Sequence, residues 1–282
     1  MKIGTLIVLD MANFESKLKG LKSFGLSCCQ ICSWNPKLWT DENVEIIKNL
    51  LAKYEVSVST FWCGWEGPVV WNFYEGQILL GLVPKKYRKM RIKNLCDGAD
   101  FAQKLGIENV ATHMGFIPEN PFDKNFKPFC EAVKKVALHL KKNGQYLLFE
   151  SGQETPVTML RSFEEIGADN LAVNIDTANL ILYGKANPVD ALDIIGKYVR
   201  DIHAKDGFYP TDGHNLGKEV RLGDGKVDFE AFLKKLKELG YDSYITIERE
   251  IAGDGETVDK QQAEDIKHAI AYLNNIIEKV YN

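Results

Sequence analysis

The segments QYLLFES (residues 145–151) and LAVNID (171–176) are short apolar runs that end in a polar or acidic residue. Such runs predict β-strands, and the longer stretch between them leaves room for a helix. The chain contains six further runs of this kind, which are KIGTLIVLD (2–10), LSCCQICSW (26–34), VSVSTFWCG (56–64), NVATHMG (109–115), VRDIHAKD (199–206) and YITIERE (244–250). The sequence therefore predicts eight strands.

Amphipathic patterns between and after these strands predict helices. ENVEIIKNLLAKY (42–54), FEAFLKKLKELG (229–240) and DIKHAIAYLNNIIEKV (265–280) repeat apolar residues at the helical period. Eight β–α units in 282 residues average about 35 residues each, the spacing of a TIM barrel. We predict an α/β fold, a (β/α)8 TIM barrel that forms a single domain over residues 1–282. A doubly wound open sheet is the alternative, but no GxGxxG motif follows the first strand.

The composition limits the classes of partner. The chain has 35 basic and 39 acidic residues and a net charge of −4, whereas proteins that bind nucleic acid are usually basic. We therefore expect no nucleic-acid partner. The sequence lacks a long apolar run and a signal-peptide pattern, so we expect no membrane partner either. The six cysteines do not complete a zinc-binding set and are expected to be buried, reduced thiols, which fits a cytoplasmic protein.

Ionisable residues follow the apolar cores of five successive candidate strands: His113, Glu150, Asp176, His203 and Glu248. Each alone has a structural explanation, since a histidine at a strand end is usually hydrogen-bonded and Asp176 could cap the next helix. In a TIM barrel, however, the carboxyl ends of the strands meet at one rim, where active sites are found. Five such residues at equivalent places therefore indicate a functional site.

The three carboxylates that converge with His203 at this rim would repel one another unless a cation were bound among them. Glu150, Asp176, His203 and Glu248 together offer three oxygen ligands and one nitrogen ligand. This set suits one hard or borderline divalent ion, with Mn²⁺ expected and Mg²⁺, Co²⁺ or Zn²⁺ as alternatives. Two further coordination positions would remain for adjacent substrate oxygens.

The alternation of side chains along the last strand separates neighbouring charges in ITIERE (245–250). Glu248 and Glu250 share one face of the strand, and Arg249 points to the other face. We expect Glu248 to lie at the depth of the other ligands. Glu250 is expected to lie higher, where it pairs with a cation or rims the pocket.

The succession THMG, LLFES, NIDTAN, DIHAKDG, LGDGKVDFEAFLKKL and YITIERE resembles that of the xylose isomerase-like TIM barrels, a superfamily of sugar phosphate isomerases and epimerases. Within it, the sequence is most similar to the ketose 3-epimerase branch, the D-tagatose 3-epimerase-like proteins. The resemblance covers most of the chain and is strongest from 109 to 250. It implies that Glu150, Asp176, His203 and Glu248 bind the metal ion, and that Glu150 and Glu248 are also the catalytic acid and base.

The resemblance and the position of the loops together predict the substrate contacts. His113 and Arg221 match positions that contact substrate oxygens, and Asn179 stands where the family often has a histidine. Lys205 is a further basic residue expected at the barrel mouth, and Glu154 is a candidate for a second glutamate of the family. The long connections 65–84 and 207–226 are expected to border the site. The first of them could supply Trp65, Trp71 or Phe73 as an apolar wall.

The resemblance implies a metal-dependent sugar epimerase or isomerase, with a ketose or ketose phosphate as substrate. A divalent ion on the carbonyl and hydroxyl oxygens would stabilise the enediolate that forms when the proton α to the carbonyl is removed. Two carboxylates on opposite faces of the carbon give epimerisation, whereas one base that shuttles the proton gives aldose–ketose isomerisation. A free sugar is favoured because no phosphate-cradling glycine loop is evident.

Three other functions are weighed against this one. A metal-dependent lyase, such as an inosose dehydratase on the same barrel, would begin with the same proton removal. A non-catalytic sugar-binding protein would not need two glutamates beside the cation. Phosphodiester hydrolysis, as in endonuclease IV relatives, would need more histidine ligands and a basic face. The resemblance also implies a homo-oligomer, either a dimer or a tetramer.

Overall fold

The computed structural model describes residues 1–251 and 256–281. Its strands are β1 (Lys2–Val8), β2 (Cys28–Ser33), β3 (Ser57–Cys63), β4 (Asn109–Thr112), β5 (Tyr146–Glu150), β6 (Leu171–Asp176), β7 (Val199–Ala204), β8 (Asp206–Gly207), β9 (Glu219–Val220) and β10 (Tyr244–Ile247). The strands β8 and β9 form a separate antiparallel pair. The others close a parallel barrel in the order β1, β10, β7, β6, β5, β4, β3, β2. The predicted single-domain (β/α)8 TIM barrel is confirmed, although most strands end before their predicted limits.

Helices surround the barrel. They are α1 (Phe14–Ser23), α2 (Asp41–Tyr54), α3 (Gly76–Leu79), α4 (Lys85–Lys104), α5 (Phe126–Lys142), α6 (Pro156–Ile166), α7 (Asn179–Leu182), α8 (Pro188–Ile195), α9 (Phe229–Glu238) and α10 (Glu256–Tyr281), with 3₁₀ turns at Pro36–Leu38 and Gly196–Tyr198. The helices predicted at 42–54 and 229–240 are confirmed as α2 and α9. α10 begins before the predicted residue 265. Its first turns were not predicted because they lie mostly in solvent and show little apolar periodicity. No helix in the described ranges has both the length and the apolar character of a membrane span.

The apolar core lies in two places. The larger part fills the space between the strands and the helices, where Phe61, Phe149 and Phe229 are fully buried. A smaller cluster, which includes Cys32, Trp62 and Leu148, lies inside the barrel. Because successive strand residues point to opposite faces, one face of each strand serves each region.

A polar layer crosses the barrel interior below its mouth. The Thr60 hydroxyl donates to Asp201 Oδ2 at 2.6 Å, and Gln30 Nε2 donates to Asn174 Oδ1 at 3.3 Å. All four side chains are fully buried. Burial of such groups is tolerated when they bond to one another, so the layer fixes the strands that carry the functional residues above it.

The two long loops meet at the mouth of the barrel. The backbone N–H of Phe73, in the loop after β3, donates to the carbonyl of His214, in the loop after β8, at 3.0 Å. The Tyr74 ring stacks on His214 with ring centroids 4.8 Å apart. Long loops at this face were expected to border the functional site, and residues from both line the pocket described below.

Candidate metal centre

Four side chains from neighbouring barrel strands converge at the mouth. Glu150 and Asp176 are the last residues of β5 and β6, His203 lies near the end of β7, and Glu248 directly follows β10. One potential ligand atom from each lies within 4.8 Å of the others. These strands are neighbours in the barrel, so the fold brings together the four residues that were predicted as metal ligands.

The contacts in this cluster centre on His203 Nδ1. This atom lies 3.2 Å from Glu150 Oε1, 3.0 Å from Glu248 Oε2 and 3.8 Å from Asp176 Oδ2. Asp176 Oδ2 is buried and has no hydrogen-bond partner among the described residues. An unpartnered buried carboxylate oxygen beside two further carboxylates and an imidazole fits a divalent cation. The residues present therefore suit the expected metal ion.

Asp176 also caps the following helix, the structural role that its place in the sequence allows. Its Oδ1 atom accepts the backbone N–H of Asn179 at 2.7 Å, at the start of the short helix α7. Its other oxygen, Oδ2, faces the cluster. The two interpretations are compatible because each uses a different oxygen of the same carboxylate.

Burial and charge shift the pKa values of this cluster in different directions. Burial raises the pKa of Asp176 to about 6 and also raises the pKa of Glu150. Burial alone would raise the pKa of Glu248, but Lys205 and His203 outweigh it and hold that pKa well below its usual range. Burial opposes the charge on His203, yet Glu248 and Glu150 raise its pKa well above the ordinary value. Opposed shifts on nearby carboxyl groups are a feature of functional sites.

Lys205 is the buried cation next to the cluster. Its Nζ atom lies 3.3 Å from Glu248 Oε2, 2.6 Å from Glu250 Oε2 and 3.7 Å from Glu219 Oε2. Lys205 therefore lies at the barrel mouth as expected. Glu250 rims the pocket and pairs with this cation, which agrees with the position expected for it.

Arg249 points away from the cluster, as the alternation along ITIERE indicates. Its guanidinium group lies 2.7 Å from Glu219 and 2.8 Å from Asp265 on α10. It is therefore not the counter-charge of Glu248. Instead it links the end of β10 to Glu219 on β9 and to the C-terminal helix α10.

His113 and Asn179 border the cluster on the side of Glu150. His113 Nε2 lies 3.5 Å from Glu150 Oε1, and Asn179 Nδ2 donates to the same oxygen at 3.3 Å. His113 Nδ1 is buried without a hydrogen-bond partner among the described residues, and burial lowers the pKa of the ring to about 4. Both side chains line the pocket, so they lie where a substrate oxygen could reach them.

A pocket of about 240 Å³ opens directly above the cluster, and we refer to it as the mouth pocket. Its polar lining consists of His113, Glu150, Asn179, Lys205, Glu248 and Glu250, and much of its remaining wall is apolar or aromatic: Leu6, Val8, Cys32, Trp34, Trp62, Trp71, Leu182, Tyr183 and Leu216. Asp176 and His203 are buried beneath it. A concave apolar site with a few convergent polar groups is the usual form of a small-molecule site.

Three residues predicted as substrate contacts do not line the mouth pocket. Trp65 is buried behind Trp34, with its ring under the Arg91 guanidinium, and Trp71 from the same loop forms the pocket wall instead. Arg221 is exposed and pairs with Asp224 at 3.0 Å. Glu154 is fully buried, and neither of its carboxylate oxygens has a hydrogen-bond partner among the described residues. Trp65, Arg221 and Glu154 were expected at the pocket, but the structure places them elsewhere. The conformation of a loop cannot be read from strand periodicity.

The sequence did not lead us to three aromatic residues of the pocket, Trp34, Trp62 and Tyr183. The Trp62 indole N–H donates to Glu150 Oε2, and the Trp34 and Trp62 rings lie 5.0 Å apart. The signal that could have found Trp62 is its parity, because it is the last inward-facing residue of β3. Cys32 reaches the pocket from β2 for the same reason, whereas Cys29 packs in the outer core.

Known proteins resemble this chain over most of its length. A family model described as a xylose isomerase-like TIM barrel matches residues 18–276. A xylose isomerase domain protein from Planctomyces limnophilus superposes with a TM-score of 0.91 at 29% identity, over 100% of this chain and 99% of that one. An L-ribulose 3-epimerase is similar in fold, with a TM-score of 0.75 at 18% identity over 99% and 95% of the two chains.

A curated relative with a different activity also matches. An inosose dehydratase of Clostridium perfringens is 24% identical over 147 residues, which cover 45% of this chain and 48% of that protein. The chain spans about half the length of the curated relatives it matches.

Proposed function

The chain belongs to the xylose isomerase-like TIM barrel family, and on this basis we propose that it is a divalent-metal-dependent epimerase or isomerase of a ketose. The observation that carries the proposal is the placement of Glu150 and Glu248. Both line the mouth pocket, while Asp176 and His203 are buried beneath it. Two carboxylates therefore face a substrate, and all four groups remain close enough to share one cation.

Glu150 and Glu248 lie at the two ends of the arc of strands that forms the cluster. β6 and β7 separate β5 from β10, so the two glutamates approach the pocket from different sides. We assign them as the acid and base pair: one removes the proton α to the carbonyl, and the other returns a proton to the opposite face of that carbon. Inversion at this carbon is epimerisation.

A divalent ion would be held by Glu150, Asp176, His203 and Glu248, and it would supply positive charge that stabilises the enediolate oxygens. Mn²⁺ is the expected ion, because three carboxylates and one imidazole suit a hard or borderline cation. His113 and Asn179 are assigned to orient the substrate hydroxyl groups. The aromatic wall around Trp71 would exclude water from the reacting carbon.

The charges of the mouth pocket favour a free sugar over a sugar phosphate. Among the described residues, Lys205 is the only lysine or arginine in its lining, against the carboxylates of Glu150, Glu248 and Glu250. Lys205 already pairs with Glu248, Glu250 and Glu219. A phosphate would have to displace one of these carboxylates from the lysine, at a cost in electrostatic energy. A neutral sugar does not meet this cost.

Dehydration is the second candidate, and the match to an inosose dehydratase favours it. It would use the same removal of the α proton, followed by loss of a β-hydroxyl group as water instead of return of the proton. A cytoplasmic location and a dimeric or tetrameric assembly stay predictions from the sequence.

The proposal is tested by incubating the protein with Mn²⁺ and a panel of free and phosphorylated ketoses and an inosose, with chromatography of the products. We expect an epimeric or isomeric product from at least one free ketose. Glu248→Gln should lower the rate by about 10² to 10⁴-fold, because it removes a general acid or base and a ligand. Glu238→Gln, at an exposed position on α9, is the matched control and should keep the wild-type rate.

The proposal is wrong if the protein binds Mn²⁺ but converts none of the ketoses. Formation of a dehydrated product from the inosose alone would establish the second candidate in its place. Equal rates for Glu248→Gln and the wild type would remove Glu248 from the acid and base pair.

A further inference from the structure

His203 makes a second contact on the side of its ring that faces away from the carboxylates. Its Nε2 atom lies 2.8 Å from Oε1 of Gln30, which is on β2. Both side chains are fully buried. Gln30 is the only hydrogen-bond partner of this nitrogen among the described residues.

The amide of Gln30 is held so that its oxygen faces the histidine. Its Nε2 atom donates to Asn174 Oδ1 at 3.3 Å, which directs the carbonyl oxygen to the other side, toward His203. A carbonyl oxygen can only accept, so His203 Nε2 must carry the proton of this bond. In the neutral ring that binds a metal ion, Nδ1 then has the free lone pair, and Nδ1 is the atom that faces Glu150, Glu248 and Asp176.

We propose that Gln30 is the positioning residue of the candidate metal centre: it selects the Nε2–H tautomer of His203 and fixes its ring so that Nδ1 faces the metal. This inference rests on the proposed function, since it takes His203 as a ligand. A metal-binding histidine commonly donates its second N–H to an acceptor, which fixes the tautomer and raises the basicity of the ligand nitrogen. Here an amide from the opposite side of the barrel interior takes that role.

The inward position of Gln30 follows from the alternation of side chains along β2. Gln30 points inward two residues before Cys32, so it lies one layer below the pocket that Cys32 lines. A polar residue at an inward position of an otherwise apolar strand needs a partner. His203 provides that partner, and the cross-strand neighbour Thr60 bonds to Asp201 instead.

Calorimetric titration of the protein with Mn²⁺ tests the inference. Gln30→Leu keeps the approximate volume but loses the acceptor, so we expect binding to weaken by about 10 to 100-fold. Thr60→Val is the matched control, because it removes a buried hydrogen bond from the same layer without touching His203. It should destabilise the fold but leave the Mn²⁺ affinity unchanged. Gln30→Glu retains an acceptor and should bind Mn²⁺ within a few-fold of the wild type.

A second measurement needs no variant of Gln30 and does not depend on whether Gln30→Leu folds. The nitrogen NMR signals of ¹⁵N-histidine-labelled, Zn²⁺-loaded protein should show His203 protonated at Nε2 and unprotonated at Nδ1. His203 protonated at Nδ1, or equal Mn²⁺ affinities for Gln30→Leu and the wild type, would overturn the inference and leave the proposed function intact. A wild-type protein that binds no Mn²⁺ would overturn both.

Discussion

Glu154 places a carboxyl group in the protein interior four residues beyond the candidate ligand Glu150. Neither of its oxygens has a hydrogen-bond partner in the described part of the chain, and burial raises its pKa to about 8. The ordinary value is 4.5, so between about pH 4.5 and 8 the folded protein holds a proton that the unfolded chain has released. The free energy of unfolding therefore falls as the pH rises through this window.

Glu154→Gln removes this titration and keeps the shape of the side chain. We predict that the variant gains stability over the wild type as the pH rises from 5 to 8, by up to about 3 kcal/mol. Urea unfolding at several pH values, in the presence of a chelator, measures this difference. Glu164→Gln, at an exposed position on α6, is the control, and its free energy of unfolding should depend on pH as that of the wild type does. The prediction would be contradicted if the free energy of unfolding of Glu154→Gln also depended on pH as that of the wild type does.

At the residue scale, the sequence was most informative where a side chain follows a strand. Glu150, Asp176 and His203 could be placed together because parallel strands in a barrel end at one rim. Their exact partners could not, since these depend on side chains from distant strands. Gln30 contacts His203 across the barrel interior, and only the closed sheet brings the two residues together.

At the element scale, Asp206 organises the loop that leads from the hairpin to α9. Its carboxylate accepts backbone N–H groups from four residues of the chain: Gly207 (2.8 Å), Gly223 (3.0 Å), Gly225 (2.9 Å) and Val227 (3.1 Å). Hydrogen bonds to a charged acceptor are among the stronger ones in proteins. Strand β9, which directly precedes this loop, carries Glu219, which bonds to Arg249 and lies near Lys205. The carboxylate of Asp206 therefore holds together the segment that follows Glu219, the carboxylate beside Lys205.

Gly225 is required by this arrangement for a steric reason. A Cβ atom at this position would lie 2.1 Å from Asp206 Oδ1 and 2.5 Å from the nitrogen of Gly207. We predict that Gly225→Ala lowers the free energy of unfolding by about 2 kcal/mol or more, because the loop must move and weaken the bonds to Asp206.

Urea unfolding of Gly225→Ala is compared with that of Gly213→Ala. A Cβ atom at Gly213 would meet nothing within 4 Å, so this control should change stability by less than about 0.5 kcal/mol. Equal effects of the two substitutions would show that the contact with Asp206 does not constrain the loop.

The elements themselves could be predicted because each β–α unit carries its own periodicity. Strands and helices were found where apolar residues repeat, and errors are concentrated in the loops. Trp65 and Trp71 lie in the same connection after β3, yet only Trp71 reaches the mouth pocket. Trp65 packs against Arg91, and Trp71 packs against Trp34. No local sequence pattern encodes these contacts.

At the scale of the whole molecule, closure of the barrel gives the candidate centre its arrangement. β5, β6, β7 and β10 are successive in the ring, and each carries one side chain of the cluster near its carboxyl end or, for Glu248, directly after it. The sequence predicted this convergence from the number and spacing of the β–α units. It could not predict how the loops after β3 and β8 meet above the pocket, since their contact joins residues far apart in the chain.

We have proposed that Glu150 and Glu248 exchange a proton α to the carbonyl of a ketose at the candidate metal centre. Incubation of the Mn²⁺-loaded protein with its ketose substrate in D₂O, followed by mass spectrometry and proton NMR after removal of the metal, tests this claim most directly. We predict that the product carries one deuterium at the inverted or newly protonated carbon, and that Glu248→Gln gives none. Turnover of the ketose without any incorporation of deuterium from the solvent would contradict proton exchange through these two glutamates.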